Sequence, residues 1–177
     1  MKTAKYLAFL FSFFVFTAAI AQSDSKKKNI EDDSKSAKED FIKADKEMSG
    51  FFSKAHGYAI FPNVGKAAVG VGGASGNGTV YENGAIIGTA KLSQVSVGFQ
   101  LGGQAYREVV FFETSEAMER FKKNKIEFSA QVSAVAATAG ASANAKYVDG
   151  VMVFTMQKGG LMYEASVGGQ KFKFEPK

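Results

Sequence analysis

The residue types that carry most enzyme chemistry are nearly missing from this sequence. It has one histidine, His56, and no cysteine. Without cysteine there is no disulfide framework, no thiolate zinc site and no thiol nucleophile. A lone imidazole supplies too few ligands for a multi-histidine metal site. His56 is also the sole imidazole base for a serine nucleophile, and no Gly-x-Ser-x-Gly elbow accompanies it. Its position at the end of a helical pattern, where the dipole favours a cation, is a sufficient explanation. The acid pairs Asp32-Asp33 and Glu39-Asp40 lie in solvated segments, where nothing raises one carboxyl pKa as acid catalysis requires. The glycine-rich run Gly70-Val71-Gly72-Gly73-Ala74-Ser75-Gly76 leads into Asn77-Gly78 and a strand pattern. A nucleotide fingerprint needs a helix there, and no Gly-Lys-Ser/Thr follows. The sequence therefore predicts a protein that is not an enzyme and has no cofactor and no metal.

Basic side chains remain. Arg120, Lys122, Lys123 and Lys125 cluster at the end of a short helical pattern, Lys171, Lys173 and Lys177 lie near the C-terminus, and Lys26-Lys27-Lys28 lies near the start. They read either as helix-end cations and a solvated strand face, or as a patch for anionic headgroups. Each cation near an anionic surface contributes about 1 kcal/mol, so several must act together. No aromatic–basic stacking stripe accompanies them, so nucleic acid is excluded as a partner.

The elements that would position these residues follow from length and periodicity. A chain of 177 residues predicts one domain. Residues 1–21 combine Lys2 and Lys5, an apolar run and Ala19-Ile20-Ala21, the pattern of a cleaved signal peptide. Export would place the chain in a periplasm or outside the cell. Loss of Lys2 and Lys5 takes the net charge from +5 to +3. Residues 22–35 are polar and charged and read as a mobile leader. Residues 36–177 form the domain. Ala37, Phe41, Ala44, Met48, Phe51, Phe52 and Ala55 fall within an arc of about 100°, one face of an amphipathic helix ended by Gly57. Ser34 or Ser36 is its expected cap.

Beyond His56 the helical period disappears. Residues 58–61 form an apolar run ended by Pro62-Asn63, and Asn77-Gly78 and Asn83-Gly84 are tight-turn signals. Strands are expected at 85–93, 94–104 and 106–113, a short helix at 114–123 capped by Thr114 or Ser115, and extended chain at 127–137. A hairpin of 151–157 with 161–167 and a last strand at 170–174 complete the pattern. The fold class is mainly β (α+β): a curved antiparallel sheet or small barrel-like β domain with an N-terminal amphipathic helix and one short internal helix.

Tyr58-Ala59-Ile60-Phe61-Pro62-Asn63-Val64-Gly65-Lys66-Ala67 resembles the SYLF lipid-binding domain family, whose members set an apolar strand, Phe-Pro and a Lys-Ala/Gly step before a glycine-rich strand. The likeness continues through residues 70–78, 96–104, 108–112, 158–162 and 164–169, covering about 37–174 in order and spacing. It implies a non-catalytic domain that binds lipid. Eukaryotic relatives bind phosphoinositides, partly through an N-terminal amphipathic helix, and some associate with actin. This chain lacks the tryptophan segment of that pattern, and its helix carries nearly balanced charge. The expectation is an exported bacterial envelope protein that meets the anionic headgroups of phospholipids or another amphiphile. A protein–protein module using the glycine-rich β surface is the alternative, and a lipid hydrolase a third class that lacks a visible nucleophile–base pair.

Two modes of holding lipid follow. The helix could lay Phe41, Met48, Phe51 and Phe52 into the headgroup boundary, with Lys66, Arg120, Lys122, Lys123 and Lys125 as the cationic candidates. The same apolar face could instead close over the β core. The second mode is a cavity in the curved sheet beside the small residues Ala130, Ala134, Ala136, Ala137 and Ala139, which close packing would equally explain.

Overall fold

The computed structural model describes residues 3–69, 71–97, 104–126, 134–158 and 167–177. Helix α1 (Thr3–Ala44) runs 42 residues, and α2 (Met48–Lys54) follows after a short break. The strands are β1 (Gly57–Val69), β2 (Val71–Glu82), β3 (Ala85–Val97), β4 (Gln104–Phe112), β5 (Val135–Ala136), β6 (Val151–Gln157) and β7 (Gln170–Pro176). Helix α3 (Ser115–Lys122) lies between β4 and β5. The sheet order is β5-β6-β4-β1-β2-β3-β7, antiparallel except for the β5–β6 pair.

Period-two alternation places consecutive side chains on opposite faces of this sheet. Tyr58, Ile60, Val109, Phe111, Met152 and Phe154 join Phe41, Met48 and Phe52 in one apolar cluster under the helices. Their neighbours Ala59, Phe61, Val110, Phe112, Val151 and Val153 join Met118, Phe121 and Phe172 in a second cluster on the other face. That second face is concave. Phe172 of β7 meets Phe61 of β1 at 5.7 Å, and Gln170 of β7 donates to Glu108 of β4 at 2.9 Å. β7 and β4 are separated by three strands, so only strong curling brings them together. Among the described residues the sheet nevertheless stays open, and the curved sheet, not the closed barrel, is the form observed.

Two local expectations are corrected by one feature. Pro62-Asn63 does not end β1. The register slips between Ile60 and Asn63 against β2, and between Phe61 and Val64 against β4. Proline has no N–H for a ladder, and a bulge is where a central strand tolerates it. Asn77-Gly78 is no turn but lies within β2, paired to β3 through Lys91 and Ala90. A Cβ on Gly78 would land on the Ile60 carbonyl oxygen and within 2.7 Å of the Phe61 ring, so glycine is required where β2 crosses the bulge. Asn83-Gly84 is the expected turn, with φ of 50° and 80°. β3 is continuous through 93/94. Of the expected segments 127–137 and 161–167, residues 127–133 and 161–166 lie outside the described residues.

The helix also departs from its expected limits. Residues 24–35 continue α1, although their composition suggested a mobile leader. No Gly or Pro interrupts positions 3–49, and lysines precede acids at helical spacing through 26–33. Tertiary bonds fix the segment as well. Thr79 Oγ1 donates to the Ile30 carbonyl at 3.4 Å, and Asn63 Nδ2 to Asp33 Oδ2 at 3.1 Å. Ser34 is not a cap. It is fully buried mid-helix and donates to the Ile60 carbonyl beside the bulge at 3.4 Å. Asp45 breaks the helix, because its carboxylate accepts from Glu47 N at 3.1 Å and takes the Ser142 hydroxyl at 2.6 Å. These bonds, the Ser142 hydroxyl first, hold its pKa below the ordinary value. Thr114 caps α3 as expected, accepting from Ala117 N at 3.3 Å.

Candidate functional site

α1 seats on the outer face of β1 and β2, held by the Arg107–Asp40 ion pair at 2.8 Å and by Lys38, which donates to the Tyr58 hydroxyl at 3.1 Å. The outer face of β3 and β7 beside it remains open to solvent. Lys91 of β3 stands opposite Lys173 of β7, Ser93 opposite Lys171, and Thr89 opposite Glu175. The helix and this exposed lattice enclose a groove of about 360 Å³, lined by Lys27, Lys28, Glu31, Thr89 and Lys177 among others. It continues into a second of about 230 Å³ that adds Lys26, Asn77 and Lys91.

The groove is electropositive. Lys26, Lys27, Lys28, Lys91, Lys171, Lys173 and Lys177 line it or share its strand rows, against Asp24, Glu31 and Glu175. Ion pairs among the described residues, such as Lys173 to Glu175 at 3.1 Å and Lys177 to Glu31 at 3.8 Å, offset part of the charge. Pairs this exposed contribute about 0–1 kcal/mol and are readily exchanged for another anion. Sequence reading offered both lysine groups, together with Arg120, Lys122, Lys123 and Lys125, as one patch for anionic headgroups; the structure brings 26–28 and 171–177 to one groove where α1 crosses the sheet. Lys91, which bridges them, was missed. Its signal was its outward parity in a strand whose alternate residues Ala90 and Leu92 are apolar.

The other candidates are placed differently. Phe41 and Met48 are fully buried, Phe52 nearly so, and Phe51 half-buried. Their rings pack on the sheet, with Phe52 at 4.9 Å from Phe111 and Phe51 at 5.6 Å from Phe154. Of the two readings of this face, closure over the β core is the one observed. Lys122 lies 2.7 Å from Glu82 and 3.1 Å from Glu119, and the Glu82 bond chiefly raises its pKa. Lys123 is 3.6 Å from Glu119, Arg120 donates to the Asp149 carbonyl, and Lys125 is exposed. Lys122 and Lys123 are thus ion-paired within the fold. His56 joins the same network at 3.3 Å from Glu82, tying the α2–β1 junction to β2 and α3. The Lys66 side chain and Ala130 lie outside the described residues. Ala134 packs in the concave cluster and Ala137 in the helix-side cluster.

The concave face holds a polar cluster that sequence reading did not identify. Glu108, Thr155 and Gln170 are fully buried, and Glu108 is paired in register with Thr155. Burial pushes the Glu108 carboxyl up to about 8, the bond from Gln170 opposing it only in part. Burial likewise raises the adjoining Tyr106 phenol. The clue lay in alternation. Tyr106, Glu108, Val110 and Phe112 share one face of β4, so an acid stands in a row otherwise apolar and aromatic.

Among the described residues no group of three or more His, Cys, Asp or Glu could hold a metal, and no helix is long and apolar enough to cross a membrane. The fold is thus an open curved sheet with a helix seated on its outer face and a lysine-lined groove between them. Residues 93–176 match the Ysc84 family model, described as Las17-binding protein actin regulator, and the SYLF resemblance read from the sequence holds. The chain is also 28% identical over 131 residues to "Beta cell expansion factor A" of Aeromonas veronii, an alignment covering 68% of this chain and 46% of that protein. It therefore spans less than half the length of that relative.

Proposed function

We propose that this chain is a non-catalytic module that docks on anionic lipid headgroups through the groove between α1 and the β3–β7 face, in a bacterial envelope after export directed by residues 1–21. The observation that carries the reading is the gathering of lysines from three distant segments, 26–28, 91 and 171–177, around one groove. At about 1 kcal/mol per cation close to an anionic surface, four or five acting together give useful, salt-sensitive affinity. The protein should co-sediment with phosphatidylglycerol vesicles at low salt, release at high salt and ignore phosphatidylcholine vesicles. Lys91→Glu with Lys173→Glu should weaken association at least tenfold, while Lys122→Glu with Lys123→Glu changes it much less. Equal loss in both double variants, or no association at low salt, overturns the reading. An N-terminus at Gln22 in chain recovered from the periplasm or medium supports export, and an intact Met1 there refutes cleavage.

A protein partner is the second reading, favoured by the family model's own description as a Las17-binding protein. Saturable capture of a protein that is indifferent to added vesicles distinguishes it.

A further inference from the structure

The concave face of the sheet is packed with apolar and aromatic side chains except at one place. There Glu108 of β4, Thr155 and Gln157 of β6 and Gln170 of β7 turn their polar ends inward. Gln170 Nε2 donates to Glu108 Oε2 at 2.9 Å. Four buried oxygens of this cluster accept no hydrogen bond: Glu108 Oε1, Thr155 Oγ1, Gln157 Oε1 and Gln170 Oε1. Buried polar atoms are normally paired, and four orphans in one cluster are far from the norm.

The chemistry of the set is specific. With Glu108 ionised, three of the four oxygens are pure acceptors and the fourth is a hydroxyl, so a ligand that holds the carboxylate form must donate. Among the described residues no cation faces the one acid. From β4 its neighbour is Tyr106, from β1 Phe61, from β3 Gln94, from β6 Thr155 and Gln157, and from β7 Gln170 and Phe172. Arg107, next in sequence, points to the opposite face and binds Asp40. A donor-rich cation with an apolar body matches both the orphaned oxygens and the surrounding wall.

We infer that the concave face is a binding site for a primary ammonium group carried on an aliphatic chain, with Glu108 as its counter-ion and Thr155, Gln157 and Gln170 as its acceptors. The site is separate from the lysine groove, lies on the other face of the sheet and takes the opposite charge. Binding below pH 8 displaces the Glu108 proton to solvent while the ligand stays an ammonium, so each amine bound at pH 7 releases about one proton. The ammonium donor could be a free alkylamine or the headgroup of an aminolipid.

The test uses the full chain and n-octylammonium chloride in isothermal titration calorimetry, in two buffers of different ionisation enthalpy. Saturable binding with release of about one proton is expected at pH 7, with tighter binding at pH 8.5. Octanol should bind at least tenfold more weakly. Glu108→Gln keeps the shape and removes the charge, and should weaken the amine about 100-fold and abolish proton release. Thr155→Val, a second and milder change, should weaken it several-fold. Phosphatidylethanolamine in phosphatidylcholine vesicles gives the second arm. Competition with octylammonium identifies the lipid as a source, and its absence leaves the free amine. No binding at millimolar amine, equal binding of octanol, or unchanged binding by a folded Glu108→Gln variant overturns the site.

Discussion

Replacing Glu108 by Gln should change how stability responds to pH more than it changes stability itself. The carboxyl is buried against Phe and Val side chains and has one hydrogen bond, from Gln170. Its pKa is raised from 4.5 to about 8 in the folded chain. A raised folded pKa means that the folded state holds the proton more tightly than the unfolded state. The contribution is therefore fully present below the unfolded pKa near 4.5 and is lost as pH rises through about 8. At 1.36 kcal/mol per pKa unit, the loss across that window is about 5 kcal/mol, an order-of-magnitude figure for so buried a group. Glutamine has the same shape and no charge to bury, so the variant escapes the loss. Paired urea titrations of both chains from pH 4.5 to 9, at constant ionic strength, isolate the residue because all other titrations cancel in the difference. The difference in unfolding free energy should swing by about 3–5 kcal/mol in favour of Glu108→Gln as pH rises. At about 2–4 °C per kcal/mol for a chain of this size, the melting-temperature difference swings by about 10 °C. Parallel profiles, with a difference constant to within about 1 kcal/mol, would falsify the claim that this acid is buried uncharged.

Gly78→Ala should destabilise the fold by about 2–4 kcal/mol, because the new Cβ meets the Ile60 carbonyl where the backbones cross; a melting curve checks it, and an unchanged midpoint removes the argument for that close approach. Ser142→Ala withdraws the 2.6 Å hydroxyl bond from Asp45 and should cost about 1–2 kcal/mol in chemical denaturation at neutral pH. Because Asp45 has a lowered pKa, that deficit should shrink as pH falls through the carboxylate range, and a deficit that grows in acid would contradict the assignment.

Alternating strands were legible because their pattern is local. The rows at 58–61, 109–112 and 151–154 each show apolar residues on both faces, as a strand covered on two sides must. Asn83-Gly84 was legible for the same reason, since the turn needs only its own two residues. Asn77-Gly78 carries the same signal and misled, because its glycine answers to the Ile60 backbone across the sheet and not to a turn. The charged stretch at 24–35 was misjudged on composition, which knows nothing of Thr79 and Asn63 waiting 30 to 49 residues away. The groove depends on the angle at which α1 crosses β2, and no spacing in the sequence encodes that angle. The Glu108 cluster was readable in principle from the parity of β4, but only once that face was known to be the inner one.

The sheet divides the molecule like a party wall. Tyr58 and Ile60 answer to the helices on one side, while Ala59 and Phe61, their immediate neighbours, answer to the concave cluster on the other. The two clusters have no residue in common, so substitutions at well-separated positions on opposite faces should come close to simple addition. Substitutions can therefore accumulate on the concave face while the seat of the helix and the lysines beside it stay as they are.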